Sequence, residues 1–192
     1  GAGDGNLAVG HVTLTRGSSV VGNHYNDVFN ATEFIGPIQY ASFAGNDQIT
    51  GNGETQLAYW GATSGVTADL ATGTVDKGAS GQDTFTGVRS IQGSNFADTL
   101  RGDAGDNGLF GSAGEDVLDG RGGTDYLFGG TDADTFVYGA GYGTDTVADF
   151  LQSDGDKIDL RTVPNVHAFA DLNVSQSGLN TLIDFGSGNT LT

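Results

Sequence analysis

Asp98, Asn107, Asp116, Asp125 and Asp134 recur at every ninth position, so one short oxygen-bearing side chain follows another through the middle of the chain. Oxygens at a fixed interval can hold a metal ion if the backbone folds that interval into stacked neighbours. The surrounding sequence has the same period, because residues 93–137 divide without a gap into GSNFADTLR, GDAGDNGLF, GSAGEDVLD, GRGGTDYLF and GGTDADTFV. Glycine opens each nonapeptide (Gly93, Gly102, Gly111, Gly120, Gly129). The sixth position carries the oxygen, and the eighth is apolar (Leu100, Leu109, Leu118, Leu127, Phe136).

Six turn-forming residues followed by three with an apolar centre make a turn and a very short strand. Two nonapeptides close one coil of a parallel β-solenoid, which sets each beside the next but one at ~4.8 Å and points the eighth-position side chains into a thin core. The sixth-position carboxylates stack at the same spacing. There two charges repel by roughly 1 kcal/mol at water's dielectric constant and roughly 3 to 4 kcal/mol at an effective protein value of about 20. The stack therefore requires cations. Calcium suits it, since this ion takes roughly 6–8 oxygen ligands, accepts carbonyls as readily as carboxylates and tolerates flexible geometry. Several ions are expected, between Asp98 and Asp116, between Asp116 and Asp134, and between Asn107 and Asp125. Neutral Asn107 leaves the last site one charge short.

These nonapeptides resemble the RTX calcium-binding repeat GGxGxDxUx, a signature of the parallel β-roll. The resemblance implies that loop carbonyls complete each site: Gly93, Asn95, Ser112 and Gly114 at the first ion, Gly111, Ala113, Gly130 and Asp132 at the second. At the third they would be Gly102, Ala104, Arg121 and Gly123, while Gly120 and Gly122 present carbonyls as first and third letters of their own turn. Phe96 and Asp132 depart from the pattern where its fourth-position glycine should stand. GTDTVADF and GDKIDL look like the segments that close RTX rolls, which implies Asp145 as the partner of Asp125 and Asp149 as a further ligand. The resemblance also implies secretion through a type I channel, followed by folding when calcium is met outside the cell.

Degenerate copies lie upstream: GNHYNDVFN with Asp27, SFAGNDQIT with Asp47, and GASGQDTFT with Asp83. Asp83 is expected to share an ion with Asp98. Between the copies at Asp47 and Asp83, Gln56 takes the carboxylate's place, and TQLAYW with GVTADLATGTVDKG reads as longer strands with a tight turn at Ala71 to Gly73. Tyr59 and Trp60 form a candidate sugar-stacking platform. The expected organisation is an all-β chain of irregular solenoid coils over residues 1–77, with NLAV, HVTLT and SSVV as short strands. A calcium-binding roll follows over 78–150, then capping strands over 151–192, with a helical stretch from Asn165 to Leu172 and antiparallel strands in LNVSQSG and LNTLIDFG.

Composition agrees with this reading. The chain of 192 residues holds 24 acidic against 7 basic side chains, net −17, and only Glu33, Glu54 and Glu115 are glutamates. Aspartate belongs to turns and compact oxygen cages, and such a charge argues against nucleic acid or an anionic membrane as partner. There is no cysteine and no apolar run of membrane-spanning length. An EF-hand at Asp154 fails, because position six is not glycine and position twelve is Asn165. His11, His24 and His167 lack metalloprotease spacing, and no GxSxG elbow occurs, so no catalytic role is expected. The chain begins at Gly1 and is expected to be a piece of a larger secreted protein, with calcium as its partner and an extracellular glycan as the alternative.

Overall fold

The computed structural model describes residues 18–192. The NLAV and HVTLT runs lie outside the described residues, whereas SSVV supplies the strand Ser19–Val21. The molecule is an all-β solenoid with two sheet faces, and no α-helix occurs among the described residues. One face stacks Ser19–Val21, Ile38–Ala41, 55–58, 88–92, Gly108–Ala113, Tyr126–Thr131 and Thr144–Val147 in parallel. Each strand sends one apolar side chain inward, and Val20, Tyr40, Leu57, Ile91, Leu109, Leu127 and Val147 pack into one cluster.

The opposite face is interrupted. Val28–Asn30, 48–50 and 84–86 are parallel, as are Thr99–Arg101, Val117–Asp119, Thr135–Val137 and Lys157–Asp159. Between these two groups sits an antiparallel hairpin, Thr67–Asp69 and Thr74–Asp76, paired to the strand before it and the strand after it. Its turn is made by the Asp69 carboxylate, which accepts the Ala71 and Thr72 amides at 3.0 and 3.1 Å. Gly73 follows at φ 67°, where any Cβ would collide with the Phe85 carbonyl. Ala68 and Val75 point inward and are fully buried, so the hairpin continues the core.

That insertion corrects the expected Asp83–Asp98 pair. Two extra strands separate their rungs, so the loops that carry them lie about 14 Å apart along the stack rather than one ~4.8 Å step. One core cluster runs from Phe29 to Phe136, on both sides of residue 77. A second, smaller cluster of Tyr138, Val163, Ile183 and Leu191 closes the far end beneath the antiparallel strands Asn173–Ser177 and Asn180–Gly186. The helix expected over Asn165 to Leu172 is only the 3₁₀ turn Phe169–Asp171.

Leu118 is fully buried and pairs with Leu100 and Phe136 on either side. Leu118→Ala should cost about 2–5 kcal/mol in urea denaturation of the calcium-loaded protein. Leu179→Ala, at a fully exposed position, should leave the midpoint unchanged.

Candidate calcium-binding site

Each carboxylate is held by the coil before it. The Asp98 amide donates to Asp116 Oδ1 at 2.7 Å, Asp116 to Asp134 Oδ1 at 3.0 Å, and Asp134 to Asp156 Oδ1 at 3.0 Å. On the other edge the Asn107 amide donates to Asp125 Oδ1 at 2.8 Å, and Asp125 to Asp145 Oδ1 at 3.0 Å. The nine-residue period and the strand register bring the residues together, and the amide fixes one carboxylate oxygen. The other oxygen, Oδ2, turns toward the opening glycine of its own nonapeptide.

This explains the glycines. A Cβ on Gly111 would collide with both Asp116 Oδ2 and the Gly129 carbonyl oxygen, and Cβ atoms on Gly120 and Gly129 would collide with Oδ2 of Asp125 and Asp134. Carboxylate and carbonyl oxygens converge where a side chain would otherwise be. Ser112, Arg121 and Asp132 hold φ of 98°, 64° and 82°, a left-handed conformation that costs a non-glycine residue roughly 1–2 kcal/mol. These are positions whose carbonyls the repeat pattern assigns to the ion.

Four buried side-chain polar atoms among the described residues have no hydrogen-bond partner, and three of them are Oδ2 of Asp116, Asp125 and Asp134. An orphaned buried carboxylate oxygen is costly, and these three, two on one edge of the solenoid and one on the other, each beside the opening glycine of its nonapeptide, are a fit for a hard cation. No three His, Cys, Asp or Glu side chains converge among the described residues, so carbonyls must supply much of any coordination shell, as calcium permits.

The electrostatics carry the same signature. Burial first, then neighbouring carboxylates, push Asp116 up to about 8. Burial is also the leading cause at Asp145, raised to about 7, and at Asp125 and Asp134, each raised to about 6. Asp98 is raised by burial against the amide and hydroxyl donors that hold it. Without a cation these carboxylates hold their protons to higher pH than a free aspartate does.

The candidate sites are not equivalent. Asp98 Oδ1 accepts the Val66 amide at 2.6 Å and the Ser94 hydroxyl at 2.8 Å, and Oδ2 accepts the Ser94 amide at 2.6 Å. At the Asn107 rung, Arg121 Nη1 donates to the Gly102 carbonyl at 2.8 Å, and the Gly123 carbonyl accepts the Thr144 amide at 3.2 Å. A guanidinium on one oxygen and a neutral side chain beside it make this the poorest cation site. Asp149 accepts the Gly129 and Gly130 amides at 3.0 and 2.7 Å and so fixes the last loop.

Asp156 was not among the expected ligands, yet it continues the Asp134 ladder. Its signal was present in Asp156-Lys157-Ile158, which repeats the sixth-to-eighth pattern of the nonapeptides. The upstream residues Asp27, Asp47 and Asp83 form a separate ladder, with the Asp27 amide on Asp47 Oδ1 and the Asp47 amide on Asp83 Oδ1, both at 2.9 Å. The sugar platform does not form. Tyr59 is fully buried with its hydroxyl donating to Asp83 at 3.1 Å, and Trp60 alone is partly exposed, its ring edge-on to Phe43 at 5.2 Å.

Stacked carboxylates, converging carbonyls and glycine-lined loops define a calcium-binding β-roll. Residues 90–118 and 110–145 match the RTX calcium-binding nonapeptide repeat family. The chain thus contains RTX calcium-binding repeats in a β-solenoid, and such repeats are non-catalytic modules typical of secreted bacterial proteins. No curated protein matches the chain. Among the described residues no helix is long and apolar enough to cross a membrane.

The raised carboxylates make the calcium-free roll sensitive to pH. An unfolded aspartate titrates near ~4, so between that value and about 8, the upper limit set by Asp116, the folded state binds more protons than the unfolded state. Stability is therefore full at acid pH and falls as pH rises through this window. In EDTA the far-UV β signal should drop from pH 5 to pH 8. In excess calcium that drop should vanish or reverse, because the ion binds the deprotonated form. A calcium-free β signal that rises with pH would contradict this assignment.

Proposed function

We propose that this module binds several calcium ions between successive coils, with Asp98 and Asp116, Asp116 and Asp134, and Asp125 and Asp145 as the principal side-chain pairs. Carbonyls of Gly93, Asn95, Gly111, Ser112, Ala113, Gly114, Gly130 and Asp132 complete the first two sites, and Gly120 and Gly122 contribute to the third. The observation that carries this reading is the trio of orphaned Oδ2 atoms on Asp116, Asp125 and Asp134. Calcium turns a self-repelling stack into an attractive one, and the protein consequently folds and stiffens when it meets the ion.

Ions that bind only the folded state stabilise it, by ~2.7 kcal/mol for one site at a hundred times Kd. Sites in the range of about 10⁻⁴ to 10⁻³ M, typical of extracellular modules, stay empty in a cytosol and fill outside. A chain of net charge −17 held open in this way is suited to export as part of a larger secreted protein, an adhesin or exoenzyme, with folding on arrival.

Far-UV circular dichroism during calcium titration of EDTA-stripped protein tests the switch. A cooperative gain of β signal with calcium, and none with magnesium, is the expected result. Asp116 belongs to two pairs, so Asp116→Asn should raise the calcium midpoint about tenfold or more, the equivalent of ~1.4 kcal/mol. Asp154→Asn, in an exposed turn, should leave it unchanged. A full β signal in EDTA that calcium does not alter would refute metal-triggered folding.

A further inference from the structure

The upstream ladder repeats the geometry of the calcium-binding ladders but has no orphaned oxygens. Asp27 Oδ2 accepts the Asn23 amide at 2.8 Å and the Tyr40 hydroxyl at 3.3 Å, and its Oδ1 accepts Asn23 Nδ2 at 2.9 Å. The Ser42 hydroxyl lies 2.7 Å from both Asp47 Oδ2 and Asp83 Oδ2. Among these carboxylates sits an ammonium. Lys77 Nζ is 2.6 Å from Asp83 Oδ1, 2.8 Å from Ser42 Oγ and 3.7 Å from Asp47 Oδ2. The lysine is 1% exposed and both carboxylate side chains are fully buried.

Lys77 follows directly on the strand Thr74–Asp76 of the inserted hairpin. The element that separates the two ladders therefore also delivers the cation to the first of them. The same hairpin reaches the second group through Asp69, which Arg121 grips with Nη1 on Oδ1 at 3.0 Å and Nη2 on Oδ2 at 2.7 Å.

We propose that Lys77 is the resident cation of the Asp27–Asp47–Asp83 ladder, replacing calcium there. Residues 28–92 then fold without calcium and present a formed end on which the calcium-dependent coils assemble. A buried ammonium with two carboxylates and a hydroxyl around it offsets one of the ladder's charges where Asp47 and Asp83 meet, neutral donors from Asn23 and Tyr40 hold Asp27, and a fixed strand edge supplies the nucleus that a solenoid's next coil needs. The asymmetry between the halves rests on the calcium reading of the second ladder, whereas the role of Lys77 stands on its own contacts.

Hydrogen exchange with mass-spectrometric readout on the full 192-residue chain tests both parts. In EDTA, peptides from 38–58 and 82–92 should be protected while those from 99–137 exchange, and calcium should protect the latter. Exchange of 38–92 in EDTA as fast as 99–137 would overturn the proposal. Protection of every coil in EDTA would instead contradict calcium-dependent folding of the second half, and the variant then decides the Lys77 assignment by itself. In Lys77→Met, protection of 38–92 should be lost in EDTA and regained in millimolar calcium, as the freed carboxylates take up the ion. Undiminished protection of this variant in EDTA would overturn the assignment. If the variant stays unprotected even in calcium, the first ladder cannot accept the ion in place of Lys77, and replacement is overturned.

Discussion

Parallel stacking is the constraint on which this structure depends. A solenoid repeats the same residue at the same place in every coil, so the aspartate that makes one turn is set beside the aspartate of the next at ~4.8 Å. The backbone relieves part of the strain, because each ladder amide donates to Oδ1 of the following carboxylate, as Asp98 does to Asp116. At Asp116, Asp125 and Asp134 one oxygen and one negative charge remain. The glycine at the head of each nonapeptide keeps open the space into which that oxygen points, and the loop carbonyls share it.

Two solutions to the residual charge coexist in one chain. Around Asp47 and Asp83 the protein supplies its own donors, with Lys77, Ser42 and Tyr59 all buried or partly buried at hydrogen-bond distance. Around Asp116, Asp125 and Asp134 it supplies none for Oδ2. The hairpin Thr67–Asp76 lies between these regimes, and its bidentate Asp69–Arg121 contact ties the ladder that holds its own ammonium to the half whose carboxylate oxygens are left without donors. Arg121 also takes the Gly102 carbonyl, which makes the neutral Asn107 rung a second place where a side chain of the chain itself competes with a metal.

Much of this was legible in the residues, because the relevant contacts are local to the period. An aspartate at position six and an apolar residue at position eight determine both the ladder and the core, and Leu100, Leu109, Leu118 and Leu127 are all buried as the spacing requires. The same triplet in Asp156-Lys157-Ile158 lies beyond the continuous array, in the closing segment GDKIDL, and only the pairing of Lys157–Asp159 with Thr135–Val137 sets Asp156 in register with Asp134. Lys77 and Tyr59 were not legible, since their partners are set by a hairpin inserted in the sheet rather than by any sequence period. Once Thr67–Asp69 and Thr74–Asp76 occupy the space between 84–86 and Thr99–Arg101, Asp83 faces the lysine and not Asp98. The expected helix near Asn165 failed for a simpler reason: its apolar positions Val166 and Leu172 pack as a loop against the end cluster.

The claim that the orphaned oxygens are calcium ligands is most directly tested by crystals grown in calcium and measured for anomalous scattering. The account predicts anomalous peaks between the coils, in contact with Asp116 Oδ2, Asp134 Oδ2 and Asp125 Oδ2, and no peak beside Lys77. A well-ordered roll with no peak at Asp116 Oδ2 would contradict it.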